Sequence, residues 1–562
     1  MFALEIQTEI KDSQEFDILI IGGGITGIAI AREAAERGHS VGLIEKNDFG
    51  WATSAATSKL IHGGLRYLEN FDFGLVRESL KERRILMLAA CHLVKPLPFI
   101  IPILPWTEPN PLLIYTGLKL YDMLSYDRNQ FVPEESYIPS SRKISHHELI
   151  NVLPELKKIT QKGGFLYYDC QSLHPERLTL TFLKSAAEKG AKFYNHTIIE
   201  NFITERKGEE ITLKGVEVKD EITGKSATFK AKIIINATGP WIDILLSKIT
   251  GKPVKKILRS KGIHLLTKQI LNHKVAVLFR TKTHRHFFVI PWMGYSLIGP
   301  TDTPYTDDPD KLRPTEEDVQ QLLTDVNETL SENILTEDMI IDIPIGIRPL
   351  IFTGKGNTYK ASRKYEIFHH NREGIHNLIS VAGGKWTTSR QLGEDVINEI
   401  YKEYPELEKQ SRRIDTSQLP LYGSPGYSNP YSIYENFALK EFHIDEISVD
   451  QHKYLIELYG TEHIEILKII KDNPSLSNPV SELHPEKDVL AQVVFAIQYE
   501  GARTLDDVVR RRIGYGTYGI PDKKDLEKIA KLMAKYLKWN SNKIQEEIEK
   551  TISYYPVELL KS

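Results

Sequence analysis

A strand, a glycine-rich turn and a helix open the chain in the stretch FDILIIGGGITGIAIAREAAERGHSVGLIEKND. Phe16 to Ile21 is a continuous apolar run typical of a buried strand, and Ile25 to Arg37 has the spacing of a helix that ends at Gly38. A second apolar strand, Val41 to Ile44, ends at Glu45. Because a Gly-x-Gly-x-x-Gly pattern lies between the first strand and the helix, these residues predict a Rossmann-like unit that binds a dinucleotide.

Each residue type in this unit has a role in dinucleotide binding. Glycines let the backbone approach a pyrophosphate, the helix N-terminus faces its negative charge, and the acid that ends the second strand accepts hydrogen bonds from ribose hydroxyls. The glycines alone would also fit a structural turn without a ligand, but the two strands and the acid favour binding. The cofactor-binding residues predicted here are Gly22, Gly23, Gly24, Thr26, Gly27, Glu45 and Lys46.

Composition excludes several classes of protein. The chain has 562 residues, 41% hydrophobic and 26% charged, with a formal net charge of -3. This is a globular composition for two or three domains without overall attraction to nucleic acid, so we expect no nucleic-acid partner. Cys91 and Cys170 are too few for a zinc or iron–sulfur cluster, so we expect no metal centre. With no signal-peptide pattern and no run near the ~18 apolar residues of a membrane span, we expect the protein in the cytoplasm or on the inner face of the cell membrane.

Two later segments extend the predicted cofactor site and favour a flavin over a nicotinamide cofactor. A nicotinamide enzyme would continue through further strand–helix repeats, which do not follow Glu45. In AKIIINATGPW, a buried strand from Ile233 to Asn236 ends in small residues, and in NLISVAGGKWTTSRQ a strand and a glycine pair precede a helix that starts near Thr387. The positive end of that helix, with Lys385, would stabilise the negative charge of a reduced flavin. The cofactor residues predicted from these segments are Ala237, Thr238, Gly239, Gly384, Lys385, Thr387 and Thr388.

Patterning along the chain predicts an α/β protein of several parts. Residues 1–15 form an N-terminal tail, and residues 16–415 form a FAD-binding domain interleaved with a mixed-sheet cap domain at roughly 95–180 and 255–350. Residues 416–432 are rich in Pro, Gly, Ser and Tyr and are predicted to be a linker. Residues 433–562 have helical periodicity and are predicted to be a C-terminal α-helical domain.

A set of motifs carries a family resemblance. The chain contains IGGGITG, SKLIHGGLRYLE, NATGPW, KGIH, IPW, GPTDTPY, IRPL and GGKWTTSR, in this order. With these motifs it resembles the FAD-dependent glycerol-3-phosphate dehydrogenases, strongly from Phe16 to Arg390 and more weakly beyond, through YGT and EGARTLDDVVRRR. SKLIHGGLRYLE and IRPL separate this family from amine-oxidising relatives. The resemblance implies FAD as cofactor, glycerol 3-phosphate as substrate, and hydride transfer from C2 of the substrate to flavin N5.

The resemblance also implies roles for the run TSAATSKLIHGGLRYLEN, which follows the first dinucleotide unit. It would pass beside the flavin, so that small and hydroxylic residues contact the cofactor while a glycine pair leaves room for the ring. The cofactor contacts expected in it are Thr53, Ser54, Ser58, Lys59, His62, Gly63 and Gly64. Arg66 and Tyr67 would point into the substrate cavity, and a solvated polar loop is the alternative for the whole run.

Substrate phosphate and substrate oxidation require cations and a base. Arg pairs two phosphate oxygens through its planar fork, and Lys acts as a point charge. The resemblance assigns substrate binding to Arg66, Tyr67, Arg348, Arg363 and Lys385, and Arg348 is also a catalytic candidate. His62 and His264 are the candidates for the base, because an imidazole with a pKa near ~6.5 suits proton abstraction at neutral pH.

The electron acceptor is left open by these motifs. A dehydrogenase that passes electrons to membrane quinone and an oxidase that reduces oxygen to peroxide share every motif named above, and an FAD-dependent amine oxidoreductase is a weaker alternative. The apolar, proline-rich segment from Leu93 to Leu124 fits either a buried part of the cap or a peripheral membrane anchor around Trp106 and Leu112, flanked by Lys95 and Lys119. The sequence is also compatible with a homodimer.

Overall fold

The computed structural model describes residues 4–107, 110–271, 274–330, 334–352 and 364–560. The strands in these ranges are β1 (Gln14–Ile21), β2 (Val41–Ile44), β3 (Leu60–Ile61), β4 (Val94–Pro102), β5 (Arg142–Ile144), β6 (Gly164–Ser172), β7 (Lys192–Tyr194), β8 (Thr197–Lys207), β9 (Glu210–Asp220), β10 (Ser226–Asn236), β11 (Ile257–Ile263), β12 (Leu265–Thr267), β13 (Ala276–Arg280), β14 (His286–Trp292), β15 (Tyr295–Gly299), β16 (Thr303–Pro304), β17 (Ile340–Asp342), β18 (Ile345–Ile351), β19 (Glu366–His369), β20 (Ile375–His376) and β21 (Leu378–Ala382). The α-helices are α1 (Ile25–Glu36), α2 (Phe73–Ala89), α3 (Pro111–Leu124), α4 (His146–Val152), α5 (Pro175–Glu188), α6 (Ile242–Thr250), α7 (Glu316–Leu330), α8 (Ser389–Glu403), α9 (Pro405–Gln410), α10 (Tyr431–Glu441), α11 (Val449–Tyr459), α12 (His463–Asp472), α13 (Leu490–Tyr499), α14 (Leu505–Asp507), α15 (Lys523–Leu537) and α16 (Ser541–Ser553).

The first sheet joins the three segments from which the cofactor site is predicted. Its strands run in the order β19-β21-β10-β1-β2-β7, with β1 parallel to β2 and β10, and β10 parallel to β21. Continuous apolar strands need cover on both faces. Helix α1 packs on β1 and β2 and supplies part of this cover, together with its neighbours α5 and α8. Because carboxyl ends of parallel strands meet at one edge, Ile21 lies beside Asn236, and Asn236 beside Ser380. The Rossmann-like prediction is confirmed.

A second and a third sheet form the cap. The second has the order β17-β12-β15-β14-β13-β4-β6-β3, and the third the order β16-β11-β18. β4 pairs with β6 along its whole length, which buries Phe99 and Ile100 in the cap. The apolar run that begins at Leu93 is therefore core as far as Leu104.

Two residues of the possible membrane anchor, Trp106 and Lys95, make contacts within the protein. The Trp106 ring is half-buried, and its Nε1–H donates to the Arg280 carbonyl at 3.1 Å. Lys95 is paired with Glu457 at 2.6 Å. Trp106 and Lys95 are therefore occupied within the protein, because strand pairing determines where their segment lies. The start of α3 remains exposed, and within the described residues no helix combines the length and apolar character needed to cross a membrane.

Helices α13 to α16 of the C-terminal part share a core with the cap. Val493 and Leu526 belong to the same apolar cluster as Phe99 and Trp292 of the cap. The fold class predicted from the sequence, an FAD-type α/β domain with an interleaved cap and a C-terminal helical part, is confirmed.

Buried charges connect the helical part to the first sheet. Asp48, just after β2, accepts from Arg511 Nε at 2.7 Å and from Arg512 Nη1 at 2.7 Å. Arg177 on α5 pairs with Glu500 at 2.7 Å. Since these side chains are all buried, the two parts of the chain neutralise each other's charges in the interior.

The predicted tail and linker both pack against the rest of the protein. Ile6 and Ile10 of the tail are buried, and Ile6 N–H donates to the Tyr499 carbonyl at 3.2 Å. In the linker, Leu421 is buried and its N–H donates to the Ala89 carbonyl at 2.9 Å. Both segments therefore attach the helical part to the FAD-type domain.

Candidate active site

One cavity of about 1280 Å³ lies between the carboxyl edge of the first sheet and the cap. Its volume exceeds the roughly 300–1,000 Å³ of a pocket for one drug-sized ligand, so it has room for a dinucleotide and a substrate together. The predicted site residues that line it are Gly22, Gly24, Thr26, Glu45, Lys46, Thr53, Ser54, Ser58, His62, Gly64, Arg66, Tyr67, Ala237, Thr238, Gly239, His264, Arg348, Gly384, Lys385 and Thr387.

The glycine-rich turn brings three backbone segments into close approach. Gly22 has φ +111, and a Cβ there would lie 2.5 Å from the Ala237 carbonyl oxygen. A Cβ at Gly27 would lie 2.0 Å from the Gly22 carbonyl oxygen. A Cβ at Gly24 meets only Ser54 Oγ, at 3.2 Å, so Gly24 faces the open cavity. Two glycines thus serve the fold, and the third leaves space for a ligand at the N-terminus of α1.

Glu45 ends β2 at the cavity wall. Its two carboxylate oxygens accept from Gly23 N–H at 2.7 Å and Asn47 N–H at 2.8 Å. Burial raises the pKa of the Glu45 carboxyl above its usual value. Beside it, Lys46 pairs with Asp310 of the cap at 2.5 Å. This end of the cavity therefore has an acid fixed by backbone donors, with unused lone pairs for hydroxyl groups of a ligand.

The loop after β2 packs its small residues against the turn and the cap. Ser54 Oγ accepts from Ile25 N–H at 2.9 Å, and Thr53 Oγ1 donates to the Ile347 carbonyl at 2.6 Å. The Lys59 side chain points away from the cavity and pairs with buried Glu176 at 2.5 Å. The Lys59 ammonium is therefore held in a structural ion pair with α5, and the cofactor contact expected of Lys59 stays a prediction for its backbone.

Several other predicted residues lie behind the cavity wall. Gly23, Gly27, Gly63 and Thr388 do not line the cavity. A Cβ at Gly63 would lie 2.3 Å from Tyr121 Oη, so this glycine serves close packing. Arg363 lies outside the described residues.

Both candidate bases lie at the cavity, where His264 is buried and His62 is half-buried. Burial and then the Lys385 charge lower the pKa of His62 to about 4, while Asp169 acts in the opposite direction. Burial and then Arg348 lower the pKa of His264 to about 3. Both imidazoles are therefore neutral at pH 7. His264 Nε2 lies 2.8 Å from Ser58 Oγ.

Three basic side chains converge on the same cavity from distant parts of the chain. Arg66 and Arg348 line it, and Arg348 Nη1 donates to the Thr301 carbonyl at 3.1 Å. Lys385 Nζ donates to Ser79 Oγ at 2.7 Å and lies 4.1 Å from the centre of the Tyr67 ring. They place three positive charges on the wall of one cavity, which suits an anionic ligand.

Asp169 on β6 is a cavity residue that the sequence analysis missed. It is buried, and its Oδ1 accepts from Gly63 N–H at 3.1 Å, Arg83 Nη1 at 2.6 Å and Tyr121 Oη at 2.8 Å. It therefore fixes the peptide that follows His62. The available signal was an acid within the otherwise apolar strand sequence GFLYYDC, where a buried carboxylate needs strong partners.

Comparisons with known proteins agree with this geometry. Residues 17–390 match the family model described as FAD dependent oxidoreductase, and residues 414–544 match the C-terminal domain of alpha-glycerophosphate oxidase. The chain is 33% identical over 554 residues to a glycerol-3-phosphate dehydrogenase of Synechocystis sp., with 96% of each chain covered. It is 33% identical over 559 residues to an aerobic glycerol-3-phosphate dehydrogenase of Staphylococcus aureus, covering 96% of this chain and 95% of that one.

A solved structure is similar over nearly the whole chain. The glycerol-3-phosphate dehydrogenase from Bacillus halodurans, complexed with FAD, superposes with a TM-score of 0.73 at 26% identity and covers 96% of this chain and 95% of its own. The match extends through the FAD-type domain, the cap and the helical part. The chain therefore belongs to the FAD-dependent glycerol-3-phosphate dehydrogenase family of flavoenzymes.

Proposed function

We propose that this enzyme oxidises sn-glycerol 3-phosphate to dihydroxyacetone phosphate and that its electrons pass on to membrane quinone. The observation that carries the proposal is the convergence of Arg66, Arg348 and Lys385 on a cavity that also contains two neutral imidazoles. A dianionic phosphate needs such cations, and oxidation of a hydroxyl needs a base. The names of the similar proteins from Synechocystis sp. and Staphylococcus aureus point to the same substrate.

The residues around the cavity fit FAD. The space beside Gly24 would admit the pyrophosphate at the start of α1, and Glu45 would accept from the ribose hydroxyls. The Ala237–Gly239 and Gly384–Thr387 segments would lie along the rest of the cofactor. When bound, FAD supplies the acceptor at N5 for the hydride that leaves C2 of the substrate.

His62 is the better candidate for the base that takes the C2 hydroxyl proton. Proton uptake by an imidazole nitrogen creates a cation, which a neighbouring negative charge stabilises. Beyond the effect of burial, Lys385 and Arg83 lower the pKa of His62 while Asp169 raises it. The resulting pKa of about 4 stays above the value of about 3 for His264, whose pKa Arg348 and Lys59 both lower further after burial. A substrate dianion held by Arg66 and Arg348 would raise the pKa of both. We therefore assign proton abstraction to His62.

Anaerobic titration of the purified protein with glycerol 3-phosphate tests the proposal. The expected result is stoichiometric loss of the absorbance of the oxidised flavin, and glycerol should cause no loss at the same concentrations because it lacks the phosphate. Absorbance that persists at saturating glycerol 3-phosphate would refute the assignment.

An apolar mouth of the cavity supports a membrane acceptor. Phe71, Phe73, Leu112 and Leu113 are exposed to 77%, 41%, 66% and 59%. Phe71, Phe73 and Leu113 also line the cavity, so they lie where it opens to solvent. Exposed apolar groups around an opening mark a surface for apolar contact. Peripheral association of this surface with the membrane would bring the cavity to the quinone.

An oxidase that uses oxygen is the second candidate, since residues 414–544 match a family model named for alpha-glycerophosphate oxidase. Oxygen uptake by the purified enzyme with glycerol 3-phosphate separates the two functions. A dehydrogenase should reduce a soluble quinone analogue much faster than oxygen. Rapid oxygen uptake with one peroxide formed per substrate would favour the oxidase.

A further inference from the structure

The third sheet brings two glycines and Arg348 together on one face, and Arg348 lines the cavity. β11 and β18 are antiparallel, with Gly262 directly opposite Gly346 and Ser260 opposite Arg348. Directly opposed residues, and residues two positions apart on one strand, have side chains on the same face. Gly262, Gly346 and Arg348 therefore share a face, on which Arg348 supplies the long side chain.

The guanidinium of Arg348 occupies the space that a side chain at position 262 would take. A Cβ at Gly262 would lie 2.4 Å from Arg348 Nη2, 2.6 Å from Nη1 and 2.6 Å from the Thr301 carbonyl oxygen. Nη1 donates to that same carbonyl at 3.1 Å. An added methyl group would therefore enter the contact between the arginine and its backbone acceptor.

Gly346 allows the same face to approach the cofactor loop. A Cβ at Gly346 would lie 2.8 Å from Ala56 Cβ. The neighbouring Ile347 carbonyl accepts from Thr53 Oγ1 at 2.6 Å. The two opposed glycines thus let Arg348 lie flat on the sheet between the cap and the loop that lines the cavity.

We propose that Gly262 is a positioning residue for substrate specificity, because it leaves the room in which Arg348 aims at the substrate phosphate. The inference depends on the proposed function through the role given there to Arg348. Gly262 does not have the positive φ that excludes alanine, so the strain of Gly262→Ala comes from the contacts of the added Cβ. The flexible guanidinium of Arg348 must move away, and the backbone at the Thr301 carbonyl must shift by a smaller amount, so the melting temperature of the variant is measured beside its activity.

Anaerobic flavin reduction over a range of glycerol 3-phosphate concentrations tests this role. For Gly262→Ala we expect the half-saturating concentration to rise by about tenfold or more, the loss of one charge-assisted contact, with FAD content and limiting rate close to those of the unmodified enzyme. Gly74→Ala is the matched control, because a Cβ at Gly74 meets nothing within 4 Å. An unchanged half-saturating concentration in Gly262→Ala overturns the proposal.

A double-mutant cycle shows whether Gly262 acts through Arg348. In an Arg348→Ala background, Gly262→Ala should raise the half-saturating concentration much less than in the unmodified enzyme, since the guanidinium that it displaces is gone and only the contact with the Thr301 carbonyl remains. Full additivity of the two changes would contradict the proposal.

A second measurement separates this inference from the proposed reaction. Inorganic phosphate, titrated into the oxidised holoenzyme and followed by the change in flavin absorbance, reports anion binding without turnover. Phosphate should bind more weakly to Gly262→Ala than to Gly74→Ala, and equal binding would count against Gly262. Failure of glycerol 3-phosphate to reduce the unmodified enzyme would count against the proposed function alone.

Discussion

Gly24 differs from its neighbours in what its missing side chain would meet. A Cβ added at Gly22 or Gly27 would lie 2.5 or 2.0 Å from a backbone oxygen. A Cβ added at Gly24 would meet only Ser54 Oγ, at 3.2 Å. A substitution at Gly24 should therefore affect the ligand more than the fold.

We expect Gly24→Val to abolish FAD retention while the apoprotein keeps its melting temperature. The valine side chain would fill the space proposed for the pyrophosphate. Flavin absorbance relative to protein absorbance measures retention, and thermal unfolding of both apoproteins measures the fold. Gly22→Ala is the contrasting variant: it should lower the melting temperature as well, since its backbone has φ +111. Full flavin content in Gly24→Val would show that the pyrophosphate lies elsewhere.

For the base, we expect His62→Asn to slow flavin reduction by roughly 10²–10⁴-fold, the range for loss of general base catalysis. The cofactor should stay bound, since the His62 backbone N–H bonds to Thr387 Oγ1 at 3.2 Å independently of the ring. Stopped-flow reduction by glycerol 3-phosphate at saturation measures the rate. His264→Asn should be less affected, and the reverse order would transfer the assignment to His264.

Helix α3 joins the surface of the protein to the active-site loop. Leu112 and Leu113 on its first turn are exposed, while Tyr121 on its inner side is buried and bonds to Asp169. Through Asp169, the helix is connected to Gly63 and hence to the peptide after His62. A membrane that binds the outer side of α3 would thus contact a helix that supports the active-site loop around His62.

Replacement of Leu112 and Leu113 by glutamine should weaken the flotation of the enzyme with liposomes, because the exposed apolar area at the cavity mouth is lost. Flavin reduction by glycerol 3-phosphate should be retained. Ile433 and Phe437 on α10 are also exposed, to 65% and 52%, so their replacement by glutamine is the matched control. If the unmodified enzyme fails to float, membrane association by α3 is wrong.

Local elements were predictable from the sequence, and long-range contacts were not. The bounds of β1, α1 and β2 follow closely from apolar spacing and glycine positions, since these signals are local. The role of Asp169 depends on Gly63, 106 residues earlier, and no periodicity encodes that pairing. The sequence left open whether the segment around Trp106 is protein core or a membrane anchor, because apolar composition does not reveal which strands will cover it.

Several histidines in the described part of the protein are held neutral by partial or complete burial, and this makes the protein sensitive to acid. Burial is the main cause that lowers the pKa of His62, His92, His264, His286, His452 and His463 to about 3 or 4. In the unfolded chain these groups titrate near ~6.5. Between that value and about 4, only the unfolded state takes up the protons, so stability falls as the pH falls.

We therefore expect the melting temperature to decrease steadily from pH 7 to pH 5. His92 is a useful probe, since it is buried outside the cavity and both ring nitrogens lack a hydrogen-bond partner among the described residues. The melting temperature of His92→Phe should decrease less over this range than that of the unmodified protein, because the unfolded state then has one proton-binding group fewer. Differential scanning calorimetry at both pH values makes the comparison. An identical decrease in the two proteins would exclude His92 as a contributor.

The burial of Asp48 has a consequence for the order in which parts of the chain can fold during synthesis. Asp48 comes three residues after Glu45, near the start of the chain. Arg512, which neutralises its charge, is synthesised 464 residues later. Arg177 on α5 likewise waits for Glu500, 323 residues further on. Until these partners arrive, closing the cofactor-binding end of the first sheet would bury uncompensated charge, at a cost of several kcal/mol per ion. The nascent chain thus has a physical reason to keep this end of the sheet open until the segment from Glu500 to Arg512 has been synthesised.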